Sequence, residues 1–372
     1  MRADMNSKGK SRKIDGIVSL EFAGAVVICA LLGCANDRQR SDSPTRPIAA
    51  VIKPAAVTRL HDSDTSYVGA PVSFAVSVRN EYFIVDRFSV QVLRYDSSGQ
   101  FQGKLGRNGQ GPNEFMQPTF IEFVDDTTIL ISDPSRRDFT LWNVNTSVLQ
   151  SRVPYRGGLG YFQADRGTIT GTVFDRLTGT IAARWRLNAM QPQYLGKLPA
   201  VFAPGNRFAS IYGYIPVATF GDSVAYFSGE SDYLRIADSA WNVTDSIPIP
   251  RRIRRGVPMV IDSTLGGERS INDVRSQLSN PYDLHRLSGG RFAVLHVDWS
   301  VRNNVPVGSV FLTVVDKRSA PRCVDIQLPV HDVNTIARVA FRGDSLFVLD
   351  QYISGERAVI DIERFSLGAG VC

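Results

Sequence analysis

From residue 55 onward, short apolar runs alternate with polar residues, and turn-forming residues separate them. This period of two residues predicts a succession of short β-strands, while stretches with a helical period are scarce. In segment 81–106 an apolar strand ends in Asp86, and a turn, a second strand, a glycine turn and a third strand follow. Segment 127–153 repeats this plan, with Asp133 in the place of Asp86.

Weaker copies of the same unit follow, and residues 55–372 hold six in all. Each copy takes roughly 50 residues, close to the length of a four-stranded propeller blade. The sequence therefore predicts an all-β six-bladed β-propeller with four-stranded antiparallel blades. The last copy has only three clear strands, so we predict that a strand at 56–62 joins the last blade and closes the ring. Residues 251–279 match no blade element and are predicted to be an insertion between blades four and five.

A glycine-rich stretch at 106–115, GRNGQGPNEF, raises the question of phosphate binding. A phosphate loop needs converging backbone N–H groups at a helix N-terminus, often with a lysine. This stretch lacks G-K-[ST], Pro112 has no N–H, and Pro118 disfavours a following helix. We therefore expect a crossing from one blade to the next, with Phe115 packed as an apolar plug.

The run LGRNGQGPNEFMQP at 105–118, followed by an apolar strand and then SDP, resembles an NHL-repeat six-bladed propeller. More narrowly, the chain resembles lipid-anchored propellers of uncharacterised function from Gram-negative envelopes. The resemblance is good over 72–150 and only topological over 160–372. It implies the fold and little about function, because NHL propellers include protein-binding and RNA-binding platforms as well as a lyase.

The N-terminus indicates export. Basic residues precede the apolar run FAGAVVICALL at 22–32, which is shorter than the ~20 residues of a spanning helix. The run ends in LLGC at 31–34, which resembles a bacterial lipobox, so residues 1–33 are expected to be a lipoprotein signal peptide with Cys34 as the lipidated residue. Ala35 favours the outer membrane. Residues 34–54 are rich in proline, serine and charge and are predicted to form a flexible tether.

The formal net charge is +6. The one basic cluster, RRIRR at 251–255, is a weak signal for nucleic-acid binding and suits a solvated loop best. We therefore expect no nucleic-acid partner. We also expect the protein to be a monomer. Cys323 and Cys372 are an even pair in an oxidising compartment, and a disulfide between them is predicted.

Alternating strand directions place two kinds of connection on one side of the ring, which we call the loop face: the turns between second and third strands and the crossings between blades. Acids and arginines at its tips could bind hydroxyls, carboxylates or a cation, although an aspartate at a strand end also serves ordinary turn chemistry. The aromatic residues near these tips, Phe88 among them, suit packing between blades better than ligand contact. The candidate ligand-face residues are Asp86, Arg87, Asp133, Arg136, Asp175, Arg176, Glu230, Asp232, His296, Asp298, Asp350 and Gln351.

The expected function is recognition of a small ligand or protein partner by the loop face, without covalent chemistry and with no cofactor. One alternative is a metal-assisted lyase or hydrolase of the lactonase type at the channel mouth, which would need His296, Asp298 and Asp133 close together. A calcium site drawing on Asp133, Asp298 and Asp350 also stays open. A structural envelope scaffold is the third interpretation, and it predicts an apolar patch on one rim.

Overall fold

The computed structural model describes residues 46–63, 67–155, 158–165, 167–175, 179–187, 192–197, 215–229, 231–255, 279–302, 305–318, 323–329, 339–354 and 357–368. The strands form six separate sheets, and sheets that are consecutive along the chain pack against one another. The predicted all-β, six-bladed propeller with four-stranded antiparallel blades is confirmed.

Each of the first three blades is built from four consecutive strands. Blade 1 contains β3 (Pro71–Val76), β4 (Tyr82–Asp86), β5 (Gln91–Tyr95) and β6 (Phe101–Leu105). Blade 2 contains β7 (Phe120–Phe123), β8 (Thr128–Asp133), β9 (Asp138–Asn143) and β10 (Val148–Pro154). Blade 3 contains β11 (Gly158–Asp165), β12 (Thr168–Asp175), β13 (Thr180–Arg186) and β14 (Gln193–Leu195).

The other three blades follow the same plan, and the last two also take strands from the N-terminal segment. Blade 4 contains β15 (Val217–Phe220), β16 (Ser223–Tyr226), β17 (Tyr233–Ala237) and β18 (Val243–Pro248). Blade 5 contains β19 (Ser279–Arg286), β20 (Phe292–Arg302), β21 (Val305–Val315), β22 (Ile326–Gln327) and the added β1 (Arg46–Pro47). Blade 6 contains β23 (Val339–Arg342), β24 (Ser345–Ser354), β25 (Arg357–Ser366) and the added β2 (Ala56–Arg59).

Strand β2 closes the ring. It pairs antiparallel with β25 and supplies the fourth strand of blade 6, with Ala56 opposite Arg364 and Arg59 opposite Asp361. The predicted closure by the N-terminal strand is therefore confirmed, although the strand itself is shorter than 56–62. Because the first and last parts of the propeller share one sheet, the N-terminal segment holds the two ends of the ring together.

The tether predicted over 34–54 ends earlier than expected. Strand β1 pairs parallel with β22, and a short helix, α1 (Ile48–Val51), follows it. Ile48 and Ile52 are 1% and 7% exposed and belong to the core cluster between blades 5 and 6. A flexible segment could not bury two isoleucines, and their apolar surface explains why this part of the chain docks on the ring. The signal segment, Cys34 and the tether before residue 46 lie outside the described residues.

The hydrophobic core lies between the blades. The cluster between blades 1 and 2 includes Phe83 and Trp142, and the one between blades 2 and 3 includes Phe139 and Trp185. Because each blade is covered on both sides, β4 is buried at all five of its positions. This explains why the second strand of a blade, such as β4, is a continuous apolar run, whereas the outer strand β10 is exposed at several positions.

A buried aspartate at the end of β4 fastens the loop face of blade 1. The Asp86 side chain is 0% exposed, and its Oδ1 accepts the N–H of Ala70, in the segment that enters β3, at 2.5 Å. Its Oδ2 accepts the N–H of Ser89, in the turn to β5, at 2.9 Å. One carboxylate thus joins the incoming segment, the second strand and the turn.

Asp133 repeats this arrangement at the end of β8 in blade 2. It is also 0% exposed, and its two oxygens accept the N–H groups of Met116 at 2.7 Å and Gln117 at 3.1 Å, in the segment that enters β7. We call Asp86 and Asp133 the strand-end aspartates. Each holds a blade-to-blade crossing on its blade, so the repeat seen in the sequence is a repeat of this contact.

The glycine-rich stretch is such a crossing, from β6 to β7. Phe115 is 0% exposed and packs 5.6 Å from the ring of Trp142, which confirms the predicted plug. Gly106 has a φ of +67°, and a Cβ there would lie 2.2 Å from the Phe115 ring. Glycine is required because the backbone is left-handed and the plug leaves no space for a side chain.

Charged side chains hold the rest of this crossing. Glu114 accepts the N–H of Gly111 at 2.6 Å and pairs with Arg107 at 2.7 Å. From blade 2, Arg136 donates to the Gly111 carbonyl at 3.2 Å and Arg152 to the Pro112 carbonyl at 2.5 Å. The carbonyl groups of the crossing thus face protein donors, which supports a connection rather than a phosphate loop.

We expect Asp133→Ala to destabilise the propeller by roughly 2–4 kcal/mol, because the backbone N–H groups of Met116 and Gln117 would lose a buried, charged acceptor. Urea denaturation followed by circular dichroism measures the change. Asp126→Ala is the matched control, since Asp126 is exposed in the turn between β7 and β8 and should change stability by less than about 0.5 kcal/mol. Equal effects of the two substitutions would contradict the fastening role of Asp133.

Candidate functional site

The acids predicted for the loop face mostly serve the fold. The strand-end aspartates are saturated by protein donors and buried, so neither oxygen pair faces a ligand. Arg136 is turned toward the glycine-rich crossing and Asp138. Turn chemistry, which the sequence offered as the plainer interpretation, accounts for these three side chains.

The arginines of RRIRR neutralise two further candidates. Arg251 and Arg254 both pair with Asp232, Arg254 at 2.8 Å, and Arg255 pairs with Asp298 at 2.6 Å. The expectation of a solvated basic loop is wrong for Arg254, which is 5% exposed. Its burial is explained by the Asp232 carboxylate and by the carbonyls of Ser231 and Ile249, to which it donates.

A buried aspartate of blade 5 also holds this basic stretch. Asp325 lies just before β22, is 2% exposed, and accepts the backbone N–H groups of Arg252 at 2.8 Å and Ile253 at 2.5 Å. His296 Nε2 lies 3.6 Å from its Oδ1. Because burial lowers the pKa of His296 well below its ordinary value, this histidine is neutral at pH 7 and the contact is not an ion pair. The candidate His296 is therefore a core residue of blade 5.

Several other candidate ligand-face residues lie within strands or outside the described residues. Asp350 and Gln351 are partly buried in β24, opposite Asp361 and Ile360. Asp175 ends β12, whereas Arg176 and Glu230 lie outside the described residues.

The predicted disulfide is described at one end only. Cys323 is buried and disulfide-bonded, while Cys372 lies outside the described residues, so the pairing stays a prediction.

The insertion predicted over 251–279 begins after β18 and ends before Ser279, which belongs to β19. Its residues 256–278 are also outside the described part of the chain.

An exposed aromatic pair lies on the loop face. Phe88, in the turn between β4 and β5, is 68% exposed, and Tyr67, in the crossing from β2 to β3, is 53% exposed. Their ring centroids are 5.8 Å apart. Arg87 precedes Phe88, is exposed, and makes no side-chain hydrogen bond or ion pair within the described residues. Sequence reasoning assigned Phe88 to packing and missed Tyr67.

A second polar site lies among the first strands, which line the channel of a propeller. Burial raises the pKa of Glu122, on β7, and repulsion from Asp283 and Asp165 raises it further. Burial also raises the pKa of Asp283, on β19, to about 6. The three acids come from three different blades, and no pattern in the sequence predicts that the ring would bring them together.

Hydrogen bonds of a glutamine side chain connect three blades near these acids. Gln163 of blade 3 accepts the N–H of Thr219 in blade 4 at 2.8 Å and donates to the carbonyl of Leu284 in blade 5 at 3.4 Å. Glu122 accepts the N–H of Ala164 at 3.2 Å. These contacts make the acids part of a structural network across the channel.

The glycine-rich crossing borders a cavity of about 470 Å³. Its lining includes Gly106, Arg107 and Pro112 from the crossing and Trp142 and Ser147 from blade 2. Arg107 is already paired with Glu114, so the cavity adds space beside the crossing and no unpaired charge.

No group of three or more histidine, cysteine or acidic side chains within the described residues is arranged to hold a metal ion. His285 lies on β19, at the end of the strand away from the residues that pair with His296 and Asp298. There it stacks on Phe341, with ring centroids 4.6 Å apart.

We expect Asp283→Asn to make the propeller more stable than the wild type at pH 8, by on the order of 2 kcal/mol. The folded-state pKa of about 6 lies above the ordinary 3.8, so the folded state holds this proton more tightly than the unfolded state. Stability contributed by Asp283 is full below about pH 4 and is lost as the pH rises through about 6. The advantage of the variant should therefore vanish below about pH 4.

Urea denaturation over this pH range makes the measurement, and Asp361→Asn is a control of opposite sign. The hydrogen bond from Arg59 lowers the pKa of Asp361, so that substitution should cost stability at neutral pH. A stability difference for Asp283→Asn that does not change with pH would contradict the assignment.

Comparison with protein families agrees with the fold. The family model DUF5128, described as a 6-bladed beta-propeller, matches residues 67–150. This stretch contains blade 1 and most of blade 2, including both strand-end aspartates and the Tyr67–Phe88 pair. No curated protein matches the sequence.

Solved structures with the same fold are distant in sequence. A DUF4221 family member from Bacteroides vulgatus has 9% identity and a TM-score of 0.59, covering 85% of this chain and 97% of its own. A Bacteroides fragilis protein predicted to be exported has 10% identity and a TM-score of 0.54, covering 86% and 97%. Virginiamycin B lyase from Staphylococcus aureus, at 8% identity, TM-score 0.48 and coverage of 84% and 99%, is too remote to bear on activity. These similarities establish the six-bladed propeller fold alone.

Proposed function

We propose that this protein is a lipid-anchored propeller of the cell envelope that binds a ligand or partner through its loop face, by recognition and without covalent chemistry. The observation that carries the proposal is the Tyr67–Phe88 pair, because two large aromatic side chains more than half exposed and in contact are typical of binding surfaces. Most of the described acids and arginines of the loop face are engaged by protein groups. Among the described residues, the aromatic pair and Arg87 are exposed neighbours that remain open to a ligand.

The envelope location rests on two arguments. The residues before Cys34 resemble a lipoprotein signal, and one structural neighbour is a protein predicted to be exported. If Cys34 carries the lipid, only residues 35–45 separate it from β1, and an extended chain of that length reaches at most ~40 Å. The anchor would then hold the outer edge of blade 5 near the outer membrane. No helix within the described part of the chain is long and apolar enough to cross a membrane.

The described residues favour recognition over the two alternatives. A metal-assisted lyase would need a ligand set that His296, Asp298 and Asp133 do not form, because each is engaged by protein groups. A scaffold would need an apolar patch on one rim. The exposed valines of the outer strands, Val57, Val148 and Val243, belong instead to blades 6, 2 and 4.

Phe88→Trp tests the loop face directly, because it places a fluorescent side chain at the exposed position. We expect its emission to shift on titration with at least one probe from a panel of neutral oligosaccharides, acidic oligosaccharides and short peptides. Val148→Trp is the matched control, since Val148 is 57% exposed on β10 in the outer part of blade 2. If no probe shifts Phe88→Trp more than Val148→Trp, the proposed recognition by the loop face is rejected.

Cys34→Ser tests the anchor. The variant should move from the membrane fraction to the soluble fraction, because the lipidated thiol is missing. Cys29→Ser is the control, since Cys29 lies within the apolar run of the expected signal peptide and its loss should leave the protein in the membrane. Membrane retention of Cys34→Ser would overturn the lipid anchor.

A further inference from the structure

We propose that the Tyr67–Phe88 pair and Arg87 form a binding site for an acidic saccharide, with the rings stacking on a sugar and Arg87 pairing with its carboxylate. This inference rests on the proposed function and gives a chemical class to the ligand. We call the three side chains the aromatic platform.

The platform is held in place by the fold. The turn that carries Phe88 is fastened by Asp86, and a Cβ on Gly69 would lie 2.9 Å from the Cβ of Phe88. Phe88 therefore packs directly over the backbone of the crossing. Val68, which follows Tyr67, is 4% exposed and belongs to the core cluster that also holds Leu60 and Phe74, so the chain beside the other ring is packed against the fold. Rings presented by fastened segments lose little conformational freedom on binding.

Charge selects an anionic ligand. The strand-end aspartates bond to backbone N–H groups, and Asp232 and Asp298 are paired with arginines. Arg87 has no such partner within the described residues. An exposed guanidinium that is paired with no acid within the described residues attracts a carboxylate, which it can bind with two parallel hydrogen bonds.

Shape selects a sugar over a smaller anion. The two rings are tilted by 43° and exposed at the surface, so they offer apolar area outside any enclosed pocket. A pyranose ring presents a flat face of C–H groups for such a surface, and a uronic acid adds a carboxylate at the ring edge. A small carboxylate such as acetate would use Arg87 and leave the rings uncovered.

Isothermal titration calorimetry with a short oligogalacturonate tests the site, and the same oligomer with its carboxylates methyl-esterified is the matched ligand control. We expect the acid to bind at least ~10-fold more tightly than the ester, as a charge-assisted hydrogen bond would give. Arg87→Gln should weaken acid binding by about the same factor, and Phe88→Ala should weaken both ligands. Arg318→Gln removes an exposed arginine from the turn after β21, on the opposite side of the ring, and should change neither affinity.

The outcomes separate this inference from the proposed function. If the ester binds as tightly as the acid and Arg87→Gln has no effect, the acidic class is overturned while recognition by the loop face stands. If an acidic peptide binds through Arg87 and Phe88 and neither saccharide does, the saccharide class is overturned in the same way. If nothing binds and Phe88→Trp also stays silent with every probe, both the inference and the proposed function fall.

Discussion

The loop face depends on one contact, a buried carboxylate at the end of a second strand that accepts backbone N–H groups from the segment entering the same blade. The crossings are irregular chain, and their N–H groups need acceptors once they are covered. Asp86 and Asp133 supply these acceptors in blades 1 and 2. In blade 5 the acid on the second strand also holds the incoming segment, but through side chains: Asp298 accepts hydrogen bonds from the Arg255 guanidinium and the Ser279 hydroxyl. The crossings can therefore vary in sequence while the blades keep their places.

This fastening decides which side chains remain for recognition. A carboxylate whose oxygens already accept hydrogen bonds from the backbone cannot bind a ligand. An arginine paired with an acid of the fold cannot bind one either. The loop face is rich in charge by composition, yet most of its described acids and arginines serve the fold. The aromatic platform differs because its apolar rings are not needed to fill the space between blades, and no acid within the described residues pairs with the neighbouring guanidinium. Function is better sought among side chains that the fold does not use than among the most polar ones.

The sequence predicted the blades far better than it predicted the site. Alternation and the repeated aspartates were enough for six blades, because both are encoded within single blades. The closing strand could be predicted because the last copy lacked a fourth strand. The partners of the basic stretch were not visible, since Asp232 and Asp325 lie 22 and 71 residues from Arg254 and meet it only in the folded ring. Tyr67 sits in a crossing without any period, so nothing in the local pattern places it beside Phe88. Ile48 and Ile52 were not predicted to be buried, because a two-residue strand and a four-residue helix carry too little pattern to detect.

Ring closure links the two ends of the chain in folding as well as in structure. Strands β1 and β2 are made first, yet they pair with β22 and β25 of the last two blades. The ring therefore stays open until the blades in between have been made, and contacts of such long sequence separation form slowly. Until then the edges of blades 5 and 6 present unpaired strands, which are prone to aggregate. The burial of Ile48 and Ile52 beside β1 favours docking of the N-terminal segment over other pairings. Strands β1 and β2, which lie nearest the expected lipid anchor, thus cover the outer edges of blades 5 and 6. The chain would run from these same edges toward the membrane.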